Sequence, residues 1–297
     1  MEITGPALVS LFTGYSAAYQ GGFNGVTPTY TQIAMTVTSV TRSNEYGWLG
    51  KFPRMREWIG DRVINALGKH GYTIRNRSFE STIAVDRDDI RDDQVGIYTP
   101  IFSEFGRSAA VFPDELCWAL LQDGASTLCF DGQNYFDTDH PVILEDGSEG
   151  VFSNDLGGAG TAWYLVDTSR AIKPLVFQSR EPFRLTRMDD DTSPAVFSKK
   201  EFQYGVDGRC NVGFTFPQLA IRSRQTLNAA NYEAARAAMI GFKADHGLPL
   251  GIVPDTIITG PTLEGAAKAI VQSTLVNGGE TNPWAGTAKH MMSPWLA

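Results

Sequence analysis

Residues 88–124 read DDIRDDQVGIYTPIFSEFGRSAAVFPDELCWALLQDG, and this stretch decides the predicted fold. Apolar side chains recur every third or fourth residue from Tyr98 to Phe112, which is the spacing of one face of an α-helix. Carboxylates precede the stripe, where negative charge favours a helix start. Pro113 is typical of the first turn of a second helix. The sequence therefore predicts one long, bent helical rod over residues 89–123.

The chain before the rod predicts an N-terminal helix followed by extended segments. Apolar residues from Leu8 to Tyr19 have helical spacing, and Gly21-Gly22 are expected to end this helix. Residues 33–40 and 79–85 are rich in β-branched or alternating apolar residues, as strands are. A helix followed by a long extended stretch is more typical of an arm than of a core.

Residues 41–85 are the most ambiguous part of the chain and allow two interpretations. Apolar residues from Met55 to Leu67 could mark a helix that ends at Gly68. Alternatively, residues 62–64 and 72–74 could be the arms of a long hairpin. Periodicity alone does not separate a short buried helix from a strand, so both interpretations stay open at this point.

The chain after the rod predicts loops, then strands, then a mixed block. Residues 124–160 are rich in turn-forming residues. Strands are predicted at 163–166, 174–178, 183–188, 196–204 and 212–221. Helices are predicted at 229–246 and 261–273, with a strand at 251–259 between them and a strand-like tail at 291–297. The whole chain is therefore expected to be α+β, with a second unit that starts near Thr226.

Composition excludes several classes of protein. A chain of 297 residues that is 42% hydrophobic can bury a substantial core. Its formal net charge of -8 argues against a dedicated nucleic-acid binder, although a container for packed DNA needs no basic lining. The sequence shows no signal peptide and no apolar run long enough for a membrane helix. The three cysteines are an odd number without metal-type spacing, and the lack of a disulfide framework is expected for folding in a reducing cytosol.

The most site-like cluster is Asp137-Thr138-Asp139-His140-Pro141. Two carboxylates and an imidazole could bind a metal or transfer protons, but no distant ligand set completes a site. A polar turn closed by Pro141 is the favoured interpretation. All four histidines lie near turns and are expected at the surface, whereas Cys117 beside Trp118 predicts a buried thiol. We therefore predict no enzyme, no metal and no cofactor.

One segment is rich in residues that anchor interfaces. Residues 46–58, YGWLGKFPRMREW, place four aromatic side chains and three cations within thirteen positions. Tryptophan, tyrosine and arginine are enriched where proteins bind one another. The alternative is that these aromatic residues belong to the core of their own domain.

Many short strings match one family in order along the chain. The strings that carry the resemblance are YGWLGKFP at 46–53, EWIG at 57–60, GRSAA at 106–110, PDEL at 113–116, DGQN at 131–134, YLVDTSR at 164–170, KPLVFQ at 173–178 and FQYG at 202–205. On these strings the chain resembles the major head subunit family of Mu-like phages. The matches are dense to residue 225 and looser after it.

The resemblance implies an HK97-like capsid fold of four parts. It implies an N-terminal arm at 1–40, and an E-loop hairpin with its base at 41–86. It further implies a peripheral domain at 87–225, in which the rod at about 89–123 is the spine helix and the 163–222 block is the sheet. An axial-type α+β domain is expected at 226–297. The hairpin interpretation of residues 41–85 is then the favoured one, with the hairpin reaching over a neighbouring subunit.

The resemblance also implies a function and partners. The chain is expected to be a major capsid protein whose pentamers and hexamers build an icosahedral head around double-stranded DNA, without sequence-specific DNA binding. A scaffold or protease, a portal and decoration proteins are expected partners, and assembly is expected in the host bacterial cytoplasm. The predicted intersubunit contacts of the E-loop are Trp48, Phe52, Arg54, Arg56, Glu57 and Trp58. An encapsulin-like compartment is the alternative.

Overall fold

The computed structural model describes residues 2–49, 71–92, 95–190 and 192–297. Its α-helices are α1 (Gly5–Asn24), α2 (Arg87–Arg91), α3 (Thr99–Gln122), α4 (Pro194–Lys199), α5 (Ala229–Ile240) and α6 (Glu264–Val271). Its strands are β1 (Ala34–Thr38), β2 (Ser43–Glu45), β3 (Thr73–Arg75), β4 (Arg77–Asp86), β5 (His140–Ile143), β6 (Glu149–Phe152), β7 (Trp163–Val166), β8 (Leu175–Met188), β9 (Glu201–Phe214), β10 (Ala220–Ser223), β11 (Lys243–Ala244), β12 (Leu248–Pro249), β13 (Thr256–Thr259) and β14 (Lys289–Met292).

Two four-stranded sheets organise the chain. The first, which we call the ribbon sheet, has the order β1-β8-β9-β4, and its strands β8 and β9 are each 14 residues long. The second, which we call the buried sheet, has the order β10-β7-β13-β14 with four residues in each strand. The structure is therefore α+β, as predicted.

The predicted strand block at 163–222 is divided between these sheets. In the buried sheet, β7 pairs with both β10 and β13, and β13 pairs with β14. β8 and β9 pair with each other in the ribbon sheet. The predicted boundary at residues 225 and 226 thus runs between strands of one sheet. The expectation that 163–222 form a single sheet is wrong, because pairing is set by tertiary contacts and not by chain order.

The predicted rod is a short helix followed by a long one. α2 is N-capped by Asp86, whose side chain accepts a hydrogen bond from the Asp88 amide at 2.7 Å. α3 then runs without interruption through Pro113, although a proline inside a helix removes one backbone hydrogen bond. The Asp114 carboxylate, beside that proline, accepts hydrogen bonds from the Thr29 amide at 2.9 and 3.1 Å. This contact ties the segment before β1 to the middle of α3.

α1 packs along α3 at two glycines. A Cβ atom on Gly106 would lie 1.9 Å from the Tyr19 carbonyl oxygen, and one on Gly22 would lie 1.9 Å from the Ser103 carbonyl oxygen. The rings of Tyr15 and Phe102 stack between the helices with centroids 4.0 Å apart. The expectation that Gly21-Gly22 would end α1 is therefore wrong: Gly22 lets the two backbones approach.

Several predicted element boundaries needed correction. The predicted strand 196–204 begins as helix α4, because Ser193 caps it and Pro194 occupies its first turn. The strands predicted at 174–178 and 183–188 are one continuous strand, β8, with register shifts near Glu181. The strand predicted at 251–259 is confined to 256–259. The helix predicted at 229–246 ends at Ile240, where Gly241 is the C-cap.

The two faces of the buried sheet pack against different helices. One face, with Trp163, Leu165 and Ile257, packs against α5 and α6. The other face, with Tyr164 and Ile258, packs against the C-terminal part of α3. Both faces are therefore covered by the chain itself. No helix among the described residues is long and apolar enough to cross a membrane.

Candidate intersubunit surfaces

The base of the predicted E-loop is a small antiparallel pair. β2 and β3 pair with Ser43 opposite Arg75, and the Tyr46 amide donates a hydrogen bond to the Tyr72 carbonyl at 2.9 Å. β2 and β3 thus run in opposite directions, as the two strands at the base of a hairpin do. Residues 50–70, between these strands, lie outside the described residues.

A buried polar network fixes the direction of this base. The Gln178 side chain, in β8, accepts a hydrogen bond from the Tyr46 hydroxyl at 2.9 Å and donates to the Asn76 side-chain oxygen at 2.7 Å. Asn76 in turn donates to the Ser39 hydroxyl at 2.8 Å. Burial raises the pKa of Tyr46. Because each buried polar group here has a partner, the loop base is held in one orientation on the ribbon sheet.

This network was missed by the sequence reasoning. Gln178 ends the apolar run of residues 175–178, and one polar residue in a buried strand was the available signal. Its partners Asn76 and Tyr46 are separated from it by 102 and 132 residues along the chain. Local periodicity cannot identify such partners.

The predicted contact residues fall in two groups. Trp48 is half-buried against the chain's own core, with its ring centroid 5.9 Å from that of Phe216 and 6.1 Å from that of Tyr46. The structure thus gives Trp48 the core packing that was the alternative interpretation, and its intersubunit role stays a prediction. Phe52, Arg54, Arg56, Glu57 and Trp58 lie outside the described residues.

The predicted arm is packed on its own chain. Leu8, Tyr15 and Tyr19 of α1 are buried, and Ile33 and Ala34 belong to the core beside α3. β1 adds to the ribbon sheet as a parallel neighbour of β8. In this structure residues 5–38 therefore form part of the subunit body.

His140 is buried, and the expectation of a surface histidine is wrong at this position. Its Nδ1 lies 2.7 Å from an Asp131 carboxylate oxygen, and its Nε2 lies 3.2 Å from the Tyr135 carbonyl oxygen. Asp139, by contrast, is exposed. No group of three or more His, Cys, Asp or Glu residues able to hold a metal occurs within the described part of the chain. The arrangement is that of a structural histidine which ties the start of β5 to the loop before it.

The cysteines are placed as inert core residues. Cys117, Cys129 and Cys210 are free and buried. Burial raises the pKa of the Cys210 thiol to about 12 and also raises that of Cys117. Since the thiolate is the reactive form, these residues have no nucleophile character at neutral pH. The buried setting predicted for Cys117 is confirmed.

The chain is similar over nearly its whole length to phage head proteins. Residues 8–296 match the family described as the Mu-like prophage major head subunit gpT. The major capsid protein of Escherichia phage Mu is 42% identical over 290 residues, which cover 95% of this chain and 94% of that protein. The Mu-like prophage FluMu major head subunit of Haemophilus influenzae is 39% identical over 281 residues, covering 92% and 91%.

Solved phage shells share the fold. The subunit in the procapsid of bacteriophage JBD30 superposes with a TM-score of 0.87 at 43% identity, covering 99% of this chain and 100% of that chain. The subunit in the JBD30 capsid decorated with minor capsid protein trimers gives a TM-score of 0.76 at 34% identity and covers 92% of each chain. The fold is thus the HK97-like fold of phage capsid subunits. The chain belongs to the Mu-like phage major head subunit family.

Proposed function

We propose that the chain is the major capsid protein of a tailed Mu-like phage and that its copies assemble into the icosahedral head around double-stranded DNA. The observation that carries this proposal is the superposition on the JBD30 procapsid subunit over 99% of the chain. An encapsulin-like compartment is not favoured, because the matched family and both relatives are phage head proteins. The chain is proposed to act by assembly alone, without catalysis or cofactor.

The proposed E-loop spans residues 41–86 and contacts a neighbouring subunit. The rigid base formed by β2, β3 and the Gln178 network supports this proposal, since a loop that leaves the body in one fixed direction loses less entropy on binding. The proposed contacts are Trp48, Phe52, Arg54, Arg56, Glu57 and Trp58. For Trp48, only the exposed part of its ring would be available for this contact.

The proposed domains follow the two sheets. The peripheral domain would comprise the ribbon sheet with α3 as its spine helix, and the axial domain would comprise the buried sheet with α5 and α6. The extension of the axial domain to β7 and β10 is supported by their pairing with β13. The arm, proposed at 1–40, would then begin as the helix α1 laid along the spine.

The proposed partners are those of a phage head. Copies of the chain would form pentamers and hexamers, and a scaffold or protease and a portal would act during assembly in the host cytoplasm. One JBD30 capsid carries minor capsid protein trimers, so a decoration protein is proposed for this shell as well. The net charge of -8 supports a lining that holds DNA without binding its sequence.

Electron microscopy of the purified protein tests the proposal. Closed shells in negative stain, with DNA rather than a protein cargo in particles from infected or induced cells, are the expected result. Small discrete oligomers would contradict shell building, and a resident protein cargo would favour the compartment.

A variant pair tests the loop. Trp58→Ala is expected to leave the subunit folded and to reduce particle yield, whereas Trp295→Ala, at a partly exposed tryptophan outside the loop, is expected to leave the yield unchanged. A normal particle yield from Trp58→Ala would reject the predicted contact while leaving shell building intact.

A further inference from the structure

A short turn projects two apolar side chains from the end of α6. Residues 274–282, which we call the apolar turn, form a tight hairpin. The Asn282 amide donates to the Thr274 carbonyl at 2.9 Å, and the Val276 amide donates to the Glu280 carbonyl at 2.8 Å. Near its tip the Leu275 side chain is 59% exposed and that of Val276 is 41% exposed. The turn thus presents apolar area that its own chain does not cover.

The base of the apolar turn is fixed. The Asn282 side chain is buried and donates hydrogen bonds to the Ile270 carbonyl at 2.8 Å and the Ser273 carbonyl at 2.7 Å, at the C-terminal end of α6. Carbonyls at a helix end need such partners. Because the turn is already ordered, little conformational entropy would be lost when its tip is buried by a partner.

A groove of about 490 Å³ lies between the β5–β6 hairpin and residues 241–247. We call it the hairpin groove. Its walls include Ile143, Leu144, Val151 and Phe152. The Val151 side chain is 62% exposed, so the wall is apolar and open. The Ile143 amide donates to an Asp245 carboxylate oxygen at 3.0 Å, which holds the two sides together.

The two features lie at opposite edges of the buried sheet. The chain passes from β6 directly into residues 154–157, which run beside edge strand β10, where the Leu156 amide donates to the Arg222 carbonyl at 2.9 Å. The apolar turn instead follows α6, which packs beside the other edge strand, β14. Placement of different surfaces at opposite edges is what a head-to-tail contact requires.

Charge indicates which surfaces can meet. Residues 137–149 and 241–247, which flank the groove, contain six carboxylates and one lysine, Lys243. Two copies of this net-acidic surface placed face to face would repel each other. Residues 274–282 carry only one charged residue, Glu280, and the exposed lysines Lys268 and Lys289 lie on α6 and β14, where Lys268 is paired with Glu264. The groove therefore fits the turn better than it fits a second groove.

We propose that the apolar turn of one subunit inserts Leu275 and Val276 into the hairpin groove of a second copy of the chain, and that this contact repeats around each pentamer and hexamer. The inference rests on the proposed function, since it needs assembled rings. It specifies which two surfaces, each next to one edge of the buried sheet, meet in the ring.

A paired-cysteine experiment on the full chain tests this contact. Val151→Cys and Leu275→Cys are combined in one chain, and assembled particles are oxidised and run on a non-reducing gel. A ladder of covalent multimers up to hexamer is expected, because each subunit contributes both surfaces. Each single variant and the pair Val151→Cys with Phe197→Cys are the controls and should give no ladder. The native thiols are buried and should not contribute.

A charge variant gives a second readout. Leu275→Asp places a carboxylate against the acidic groove and is expected to lower particle yield by about tenfold, the cost of losing a central interface anchor. Adding Val151→Lys in the same chain should restore most of the yield. An unchanged melting temperature of the unassembled subunit shows that both variants fold.

The outcomes separate the two proposals. Particles without a ladder, or a normal yield from Leu275→Asp, overturn the contact and leave shell building intact. Dimers from Val151→Cys alone would show that groove meets groove and would also overturn it. A lack of particles from the unmodified chain would instead contradict the proposed function.

Discussion

The two sheets of this molecule are stabilised in different ways. All four residues of β7 and of β13 are buried, because helices cover one face of the buried sheet and α3 covers the other. In the ribbon sheet only the first four residues of β8 are buried as a run, and beyond Ser179 exposed and half-buried positions alternate. One sheet is a core, and the other is a long ribbon with one covered face.

This difference has a consequence for an assembling protein. The uncovered face of the ribbon sheet carries polar side chains, among them Glu80, Thr82, Arg184 and Asp207, and it can remain in water without cost. An extended ribbon reaches further than a compact body of equal mass and offers more area to neighbours. Both sheets contribute buried residues to the core, but the ribbon sheet also leaves a long polar face exposed.

The largest expected effect on stability comes from replacing one leucine by alanine in each of the two sheets. Leu165→Ala, in the fully buried strand β7, should lower the free energy of unfolding by about 4 kcal/mol, because it leaves a cavity in a closed core. Leu185→Ala, at a half-buried position of β8, should cost about 2 kcal/mol. Denaturant unfolding of the unassembled subunit measures both. Equal losses would show that the two sheets are packed alike.

The contact of α1 with α3 is expected to rank next. Gly106→Ala places a Cβ atom 1.9 Å from the Tyr19 carbonyl oxygen, so the helices must separate. The expected loss is about 3 kcal/mol of unfolding free energy. Gly14→Ala, at an exposed α1 position with nothing within 4 Å, is the control and should gain about 0.5 kcal/mol. A harmless Gly106→Ala would mean that α1 is not held to the spine helix.

The polar network at the loop base should have a smaller effect. Gln178→Ala leaves the Tyr46 hydroxyl and the Asn76 side chain without their buried partner, at a cost of about 2 kcal/mol. Gln203→Ala, at a half-buried position of the neighbouring strand β9 outside this network, should change the melting temperature little. If proteolysis between β2 and β3 is no faster in Gln178→Ala than in the parent, the network does not fix the loop.

The smallest expected effect is a pH dependence of stability, with opposite signs for Asp189 beside the ribbon sheet and His290 in the buried sheet. Burial raises the pKa of Asp189 beside the ribbon sheet, so its contribution to stability is complete below 3.8 and is lost as pH rises through the folded pKa. Desolvation lowers the pKa of His290 in β14, so its contribution is complete above 6.5 and is lost as pH falls through the folded pKa.

Two neutral substitutions separate these contributions. Asp189→Asn should raise the melting temperature at pH 7 and have no effect at pH 3. His290→Gln should reduce the loss of stability between pH 7 and pH 5. Melting curves of both variants and the parent across this pH range give the sign of the pH dependence at each residue. The same sign for both would contradict the assigned burial.

The sequence predicted local elements better than their pairing. The apolar stripe of α3 was found from its helical period, and the strand at 163–166 was found as a short apolar run bounded by turn-forming residues. The strand predicted at 196–204 was wrong over residues 196–199, where Ser193 and Pro194 form a helix start that was overlooked, whereas residues 201–204 belong to β9. Division of the strands between two sheets depends on contacts such as β7 with β13, which no local pattern encodes.

The candidate surfaces were predicted less completely than the fold. The aromatic stretch at 46–58 was recognised from composition, but the structure packs Trp48 on Phe216 of its own chain. The apolar turn was not recognised as a surface, because exposure of Leu275 and Val276 depends on how α6 docks. His140 was placed at the surface since its burial beside Asp131 requires the fold of the preceding loop.

The parallel pairing of β1 with β8 also sets the timing of folding during translation. Ala34 pairs with Leu175, so the N-terminal strand has no partner until the ribosome has added roughly 140 further residues. At ordinary rates of synthesis this takes on the order of ten seconds. Leu8, Tyr15 and Tyr19 of α1 are buried by residues of both α3 and β9, so their burial is not complete until β9 has also been made. The nascent chain therefore offers an apolar N-terminal segment to ribosome-associated chaperones before any finished subunit exists to join a shell.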